Sequence, residues 1–246
     1  MNADLAFGLV LADAADAITL ARFRALDLHV ETKPDRTPVS EADRAAEEAI
    51  RSMVASSGRG EGVLGEEFGD ESGDATWIVD PIDGTKNYVR GIPVWGTLLA
   101  LVRGGGAVAA VVSAPALGRR WWAVRGGGAF ADGVPCRVSG VARLEEAVAS
   151  TTSSHGFESG WAALSARAYA DRGFGDFWQH CLVAEGAVDV ACDPVANVWD
   201  YAAVRLLVEE AGGRCTTFAG GAPAHGESFL SSNGVVHDAV VSLLGV

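Results

Sequence analysis

The chain has 246 residues and a formal net charge of −13, with 49% hydrophobic and 21% charged residues. This composition is typical of a globular protein, and a chain of this length can bury a substantial core as one large domain or two closely packed halves. The excess of acidic residues argues against a nucleic-acid partner, because binding to phosphate backbones requires clustered lysine and arginine. Residues 1–20 contain three aspartates, so neither a secretory signal nor a membrane span is expected there.

The four cysteines are scattered and lack the CxxC spacing of a zinc or redox site. We therefore expect free thiols in a reducing cytoplasm rather than disulfides. The four are Cys136, Cys181, Cys192 and Cys215.

The first quarter of the chain predicts two helices separated by a short strand. Apolar residues at helical spacing predict an amphipathic helix over residues 4–24, and an alternating pattern predicts a strand over 28–33. A second helix is predicted over 41–56, with Ser40 and Asp43 in the register of a capping box. From the residues alone, Asp43 is an acid in the first turn that interacts favourably with the helix dipole.

Two adjacent acids follow a glycine-rich break over residues 58–62 and a short apolar pair. Adjacent acids usually lie on a solvated surface, and we expect this of Glu67. Glu66 directly follows the apolar pair and a glycine, which predicts a position at the end of a short strand. Glu66 is therefore the better candidate for a functional role.

Residues 77–87 read Trp-Ile-Val-Asp-Pro-Ile-Asp-Gly-Thr-Lys-Asn and are the most informative stretch of the chain. The first three residues predict a buried strand, which runs without a solvating loop into Asp80 and Asp83. The proline between these acids and the glycine after them favour a sharp turn. Such a turn can direct both carboxylates and the carbonyl of Ile82 towards one point, and hard divalent cations prefer oxygen ligands in that arrangement.

The residues after these acids predict the start of a helix. The backbone N–H groups of Gly84 and Thr85 would lie at its first turn, where a phosphate group can bind. The alternative is an aspartate-rich turn in which Asp83 only caps the helix. The direct continuity between the buried strand and the acids favours a functional site.

The middle of the chain predicts antiparallel strands over residues 97–102, 107–113, 120–124 and 126–130. The triple glycine at 126–128 lacks a Walker arrangement and a following helix, so a hairpin turn or bulge is expected. Trp121 and Trp122 would face opposite sides of their strand, and at most one is expected in the core.

Alternating strands and helices predict a layered α/β second half packed on the mostly antiparallel first half. Predicted strands cover residues 147–151, 187–191, 214–218 and 228–231, and predicted helices cover 161–171, 177–185, 200–211 and 235–244. From the residues alone, Asp200 is an N-cap, Asp176 could cap the helix at 177, and Asp193 lies in a turn before Pro194. Gln179 and His180 are expected to be packing or surface groups.

Three separated motifs carry a family resemblance. The Asp-Pro-Ile-Asp-Gly-Thr run at 80–85, with Gly-Glu-Glu at 65–67 and Trp-Asp at 199–200, resembles the inositol monophosphatase family of magnesium-dependent, lithium-sensitive phosphomonoesterases. The resemblance spans nearly the whole chain. The segments Gly-Asp-Phe-Trp at 175–178 and Cys-Leu-Val-Ala-Glu-Gly at 181–186 look most like the histidinol-phosphate phosphatase branch.

The resemblance implies an α+β fold, a layered αβαβα sandwich like that of inositol monophosphatase and fructose-1,6-bisphosphatase. It implies a single catalytic domain over 1–246, with an α+β half over about 1–140 and an α/β half over about 141–246. A cytoplasmic homodimer without nucleic-acid or membrane partners, acting on a small phosphorylated substrate, is the corresponding expectation.

The resemblance also implies residue roles. Two or three Mg²⁺ ions would be held by Glu66, Asp80, Asp83, Asp200 and the carbonyl of Ile82. Asp43 and Thr85 would accept or relay the proton of the attacking water, with Glu66 counted among the catalytic groups. Gly84 and Thr85 would bind the substrate's phosphate, Asp83 and Asp200 would also contact the substrate, and Asp176 and Asp193 would contact its leaving group.

The expected reaction is hydrolysis of L-histidinol phosphate, whose cationic leaving group suits Asp176 and Asp193. An inositol-1-phosphate phosphatase is the alternative, followed by a nucleotide 3′-phosphate or fructose-bisphosphate phosphatase. A nucleotide would favour a basic, aromatic pocket. A non-catalytic metal- or phosphate-binding regulatory protein is the hypothesis from another class, and the presence of all the implied catalytic residues argues against it.

Overall fold

The computed structural model describes residues 2–34, 36–71, 73–153 and 160–245. The helices are α1 (Ala3–Arg22), α2 (Glu41–Ser56), α3 (Thr85–Val89), α4 (Gly160–Arg167), α5 (Asp176–Ala184), α6 (Val198–Glu210) and α7 (His237–Leu244). The strands of the first half are β1 (Val30–Thr32), β2 (Pro38–Ser40), β3 (Glu61–Gly65), β4 (Gly69–Glu71), β5 (Ala75–Asp83), β6 (Gly96–Arg103), β7 (Gly106–Ala114), β8 (Arg119–Val124), β9 (Gly128–Ala131) and β10 (Val134–Pro135). Those of the second half are β11 (Val148–Thr151), β12 (Ala170–Arg172), β13 (Val190–Ala196), β14 (Arg214–Thr216) and β15 (Glu227–Ser232).

Two large sheets organise the chain. The first has eight strands in the order β10-β9-β8-β7-β6-β5-β3-β4. It is antiparallel except for the β3–β5 pair. The second has five strands in the order β12-β11-β13-β15-β14, and β1 and β2 form a separate hairpin. The mostly antiparallel first half and mixed second half agree with the sequence pattern.

Helices cover both faces of each sheet. Helices α1 and α2 pack on the outer face of the eight-stranded sheet around Leu11, Ile50 and Trp77. Helices α5 and α6 lie between the two sheets, where Trp121 and Phe177 are buried. Helices α4 and α7 cover the far face of the five-stranded sheet. The order of layers is helix, sheet, helix, sheet, helix, so the expected αβαβα sandwich is confirmed.

The second half contains two differences from the predicted elements. The predicted helix over 161–171 ends at Arg167, and Ala170–Arg172 instead forms edge strand β12, which pairs in parallel with β11. The strand predicted over 187–191 begins at Val190 and continues to Ala196. Asp193 therefore lies in a strand and not in a turn, at a shift of register against β15. A proline is tolerated there because a bulged position needs no ladder hydrogen bond.

Strand β8 shows that both faces of the large sheet are used. Trp121 is buried between the sheets. Trp122 is partly buried, packs against the core under α1 and α2, and stacks on Phe130. Of the two, Trp121 is fully buried and Trp122 is not, so the expectation of at most one tryptophan in the core is confirmed. The triple glycine forms the predicted turn between β8 and β9, where Glu210 accepts the N–H groups of Gly126 and Gly128.

All four cysteines are free and buried, as expected. Across the described ranges, no helix combines the length and the apolar character that a membrane crossing requires.

A buried carboxylate on α2 holds the turn between β3 and β4. Glu47 has no exposed surface and accepts the backbone N–H groups of Glu67 at 2.8 Å and Phe68 at 3.1 Å. Arg51, one helical turn further along, donates to the same carboxylate at 2.9 Å. A Cβ atom at Gly65 would lie 2.0 Å from the Glu47 carboxylate, so this close approach requires glycine.

We predict that Glu47→Ala destabilises the protein by about 3 to 5 kcal/mol, because it removes the buried ion-pair partner of Arg51 and the acceptor of two partly buried backbone N–H groups. Urea unfolding measures the change in the free energy of unfolding. Glu48→Ala is the matched control, because Glu48 is the exposed neighbour on the same helix. Equal effects of the two substitutions would contradict the role given to Glu47.

Candidate functional site

Strand β5 carries two acids, Asp80 and Asp83, at its C-terminal end. Its pairing with β6 shifts register between Asp80 and Asp83, and this irregularity turns both side chains out of the regular alternation. The Asp80 carboxylate accepts the N–H of Ile82 at 3.0 Å, which stabilises the turn. Gly84 follows with φ of 84°, a left-handed conformation that favours glycine, and α3 begins at the next residue.

A third acid arrives from the second half of the chain. Asp200 is the third residue of α6, and its carboxylate accepts the N–H of Asn197 at 2.6 Å. The N-cap is therefore Asn197, and the expectation that Asp200 is the N-cap is wrong by three residues. One carboxylate oxygen from each of Asp80, Asp83 and Asp200 lies within 4.8 Å of the others, so the three can share a cation.

The first turn of α2 contributes a carboxylate beside a hydroxyl. Asp43 is buried and forms the predicted capping box with Ser40. Its other oxygen lies 3.2 Å from the hydroxyl of Thr85, and that hydroxyl lies 2.9 Å from the carbonyl oxygen of Ile82. Asp43 therefore caps α2 and contacts Thr85 at the same time.

Glu66 and Glu67 are bound by a lysine that the sequence interpretation did not single out. The Lys33 ammonium donates to Glu66 at 2.7 Å and to Glu67 at 2.6 Å. Only 5% of the Glu67 side chain is exposed, so the expectation of a solvated surface acid is wrong. The sequence does not indicate that Lys33 binds these acids, because they lie more than 30 positions further along the chain.

Burial and mutual repulsion raise the pKa values of the clustered acids. Burial is the largest cause at Asp80 and Asp83, whose pKa values lie well above 3.8, and neighbouring carboxylates add to it. Burial and nearby acids raise the pKa of Asp200 to about 7. Burial raises the pKa of Asp43 to about 6, against the lowering effect of Ser40. Divalent cations would relieve this repulsion, and the all-oxygen donor set suits Mg²⁺.

Two adjoining cavities share Asp83, Asp176 and Asp200. The smaller, of about 180 Å³, is also lined by Glu66, Asp80, Ile82, Gly84 and Thr85. The larger, of about 320 Å³, extends away from the acid cluster past Phe177, His180, Asp193 and Phe229. We call the first the acid-cluster cavity and the second the side cavity. The structure therefore brings the implied metal and substrate residues to one cleft between the two halves.

Helix α5 connects the two cavities. Asp176 begins this helix at φ of 47°, and the N-cap is Gly175, so Asp176 does not cap the helix as the alternative interpretation proposed. Its carboxylate accepts the side-chain amide of Asn87 at 3.0 Å. Burial, followed by the charge of Asp193, raises the pKa of Asp176 to about 6. The next residue, Phe177, donates its N–H to Asp83 at 2.5 Å, which ties the helix to β5.

Asp193 lies in the side cavity and is bound by residues that the sequence interpretation placed elsewhere. Gln179 and His180, expected to be packing or surface groups, are buried and both donate to the Asp193 carboxylate. Thr152 donates to it as well, at 2.7 Å. Asn87 and Thr152 had no distinguishing signal, although Asn87 belongs to the 77–87 stretch.

We predict that metal-free protein loses stability as pH rises from about 4 to about 7. Acids whose pKa is raised in the folded state bind protons there that the unfolded state has released, so ionisation favours unfolding in this interval. A rise in pKa from 3.8 to about 7, as at Asp200, lowers the free energy of unfolding by roughly 4 kcal/mol above pH 7. Thermal unfolding in chelator against pH measures the loss, and added Mg²⁺ should reverse it most at neutral pH.

Asp200→Asn is the comparison variant for this pH dependence. Its side-chain oxygen still accepts the Asn197 N–H, but it carries no charge, so the pH dependence in chelator should become shallower. A variant with the same pH dependence as the parent protein would contradict the repulsion described here.

Comparisons with known proteins agree with this geometry. Residues 3–244 match the profile of the inositol monophosphatase family. A histidinol-phosphatase of Mycobacterium tuberculosis is 51% identical over 98% of this chain and 97% of its own length, and one of Streptomyces coelicolor is 48% identical over 98% and 96%. The solved structure of an IMPase from Thermotoga maritima superposes with a TM-score of 0.91 at 35% identity, covering 98% of this chain and 96% of that one. The chain belongs to the inositol monophosphatase family and is a phosphoric monoester hydrolase.

Proposed function

We propose that this enzyme hydrolyses L-histidinol phosphate to L-histidinol and phosphate, with Mg²⁺ as its cofactor, in histidine biosynthesis. The observation that carries the proposal is the side cavity, which places Asp176 and Asp193 beside the acid cluster. Among the described residues that line it, none is lysine or arginine. A leaving group that carries an ammonium and an imidazole suits such a cavity, whereas a second phosphate does not. The names of the two bacterial relatives, both histidinol-phosphatases, support the same substrate.

The acid-cluster cavity supports the metal and phosphate roles. Glu66, Asp80, Asp83, Asp200 and the carbonyl of Ile82 would hold two or three Mg²⁺ ions. Bound Mg²⁺ supplies positive charge that lowers the pKa of a water molecule and stabilises the leaving oxygen. For Glu66 to act as a ligand, its carboxylate must exchange Lys33 for a cation, and Lys33 can then remain on Glu67.

The chain's own groups orient the attacking water. The Thr85 hydroxyl can donate to Asp43 and accept a hydrogen bond from water, so a proton released by the water has a short path to the Asp43 carboxylate. With a pKa of about 6, Asp43 is ionised at neutral pH and accepts that proton without a large penalty. The N–H groups of Gly84 and Thr85, at the start of α3, would bind phosphate oxygens together with the cations.

Inositol-1-phosphate is the second candidate substrate. The Thermotoga structure carries the name IMPase, and carboxylates can also accept hydrogen bonds from a polyol. The two candidates share the acid cluster and differ only in what contacts Asp176 and Asp193.

We also propose a domain organisation and an oligomeric state for the enzyme. The 246 residues would form a single catalytic domain, and the family resemblance supports a cytoplasmic homodimer. Sedimentation at micromolar concentration tests the dimer, and a monomeric species would contradict it.

The first experiment measures phosphate release from L-histidinol phosphate and inositol-1-phosphate, side by side with Mg²⁺. We expect a large preference in kcat/KM for histidinol phosphate, because only its leaving group is cationic. Asp193→Asn should reduce that preference roughly 10- to 100-fold, because it removes the charge while keeping the shape. A preference for inositol-1-phosphate would overturn the substrate and keep the metal site.

Asp83→Asn tests the acid cluster itself. We expect a loss of activity of roughly 100-fold or more, since even residues that only orient metal ligands contribute 10- to 100-fold. The substitution leaves the Asn197–Asp200 contact and the Ser40–Asp43 capping box in place. The helices should therefore be retained, and the far-UV circular dichroism spectrum should be unchanged. Asp171→Asn, at an exposed aspartate on β12, is the control. Near-normal turnover by Asp83→Asn would remove Asp83 from the metal ligands.

A further inference from the structure

The Asp193 carboxylate is hydrogen-bonded on both oxygens by three other side chains. One oxygen accepts the hydroxyl of Thr152 at 2.7 Å and the amide of Gln179 at 2.9 Å. The other accepts the imidazole Nε2 of His180 at 2.7 Å. The carboxylate is nevertheless 15% exposed, whereas His180 is 3% exposed, so one face of the acid remains open to the side cavity.

The His180 ring is fixed by a second contact. Its Nδ1 lies 2.7 Å from the hydroxyl of Ser231 on β15, and the ring packs against Phe229 with centroids 4.9 Å apart. A carboxylate oxygen accepts hydrogen bonds, so the contact with Asp193 requires that Nε2 carries a hydrogen. With Nε2 as the donor, Nδ1 accepts the Ser231 hydroxyl, and these two contacts set the tautomer and the orientation of the ring.

Gln179 is fixed in the same way. Its side-chain oxygen accepts the hydroxyl of Ser150 at 2.9 Å, and Ser150 in turn accepts the N–H of Phe174. With its oxygen occupied by Ser150, the amide must direct its NH₂ group at Asp193. Both Gln179 and Ser150 are fully buried, so neither contact competes with solvent.

These contacts fix the orientation of Asp193. Three donors occupy both carboxylate oxygens, in a cavity that Asp176 and Asp200 also line. A carboxylate fixed by buried neighbours loses little side-chain freedom when it binds a cation. The shift of register in β13 sets the direction of Asp193 towards the cavity.

We propose that His180 and Gln179 are positioning residues that determine specificity: held by Ser231 and Ser150, they orient the Asp193 carboxylate for a cationic leaving group. This inference rests on the proposed function, because it assumes that Asp193 binds the ammonium or imidazole of the substrate. Neither residue lines the acid-cluster cavity, where the phosphate would bind. Their effect should therefore appear on substrates that carry the cation and not on those that lack it.

The test compares His180→Phe with His180→Gln on two substrates, L-histidinol phosphate and p-nitrophenyl phosphate. The phenylalanine variant removes the donor and keeps a planar ring, so KM for histidinol phosphate should rise about 10- to 100-fold with little change in kcat. Its kcat/KM for p-nitrophenyl phosphate should be unchanged. Glutamine can place an N–H near the lost Nε2 and should recover most of the affinity. Ser231→Ala should raise the same KM by a smaller factor.

Two kinetic outcomes would overturn the proposal. Equal losses on both substrates would mean that His180 supports the fold rather than specificity, and an unchanged KM for histidinol phosphate would mean that it does not position Asp193. If the parent enzyme shows no preference for histidinol phosphate, the proposed function is wrong. Spectroscopy then tests separately whether His180 positions Asp193.

The spectroscopic readout is the ¹⁵N NMR spectrum of histidine-labelled protein, in which His180→Gln identifies the His180 signals. The expected result is the Nε2–H tautomer for His180 and a shift of its signals in Asp193→Asn. An Nδ1–H tautomer, or signals that do not respond to Asp193→Asn, would overturn the positioning whatever the substrate is.

Discussion

Repulsion among buried carboxylates is the constraint on which this structure depends. Asp80, Asp83 and Asp200 place oxygens within 4.8 Å of one another where the two halves of the chain meet. Such an arrangement opposes folding unless protons or cations compensate the charge. The surrounding structure therefore has to hold each acid in place by contacts made elsewhere: the Ile82 N–H binds Asp80, the Phe177 N–H binds Asp83, and the Asn197 N–H binds Asp200.

Helix N-termini supply this support repeatedly. Helix α2 begins at the Ser40–Asp43 capping box, α6 at the Asn197–Asp200 contact, and α5 donates its first-turn N–H to Asp83. Asp83 and Asp200 also line the cleft, and Asp43 contacts the hydroxyl of Thr85, which lines it. This explains why a helix-capping interpretation and a metal-site interpretation of the same aspartate need not compete, since a carboxylate has two oxygens and can serve both.

The side cavity is built differently. Asp193, which lines it, is bound by Thr152 and by Gln179 and His180 of α5 rather than by a helix terminus. Gln179 and His180 are held in turn by Ser150 of β11 and Ser231 of β15. The acid-cluster cavity thus depends on backbone geometry, whereas the side cavity depends on buried side chains. Within one fold, the second can change with a few substitutions while the first stays the same. The difference fits a family whose members carry several substrate names.

The sequence by itself determined what short-range chemistry controls. The 77–87 stretch, the capping box at Ser40 and Asp43, most helices and the layered class were predictable, because strand continuity, turn residues and capping spacing act over a few positions. Tertiary structure decided the partner of Glu67, the strand that replaced the end of the 161–171 helix, and the position of Asp193 in a bulged strand. Each depends on a partner distant in the sequence: Lys33 for Glu67, β11 for the new strand, and β15 for Asp193. Burial by such partners, rather than local propensity, determines whether a polar side chain lies on the surface or in the site.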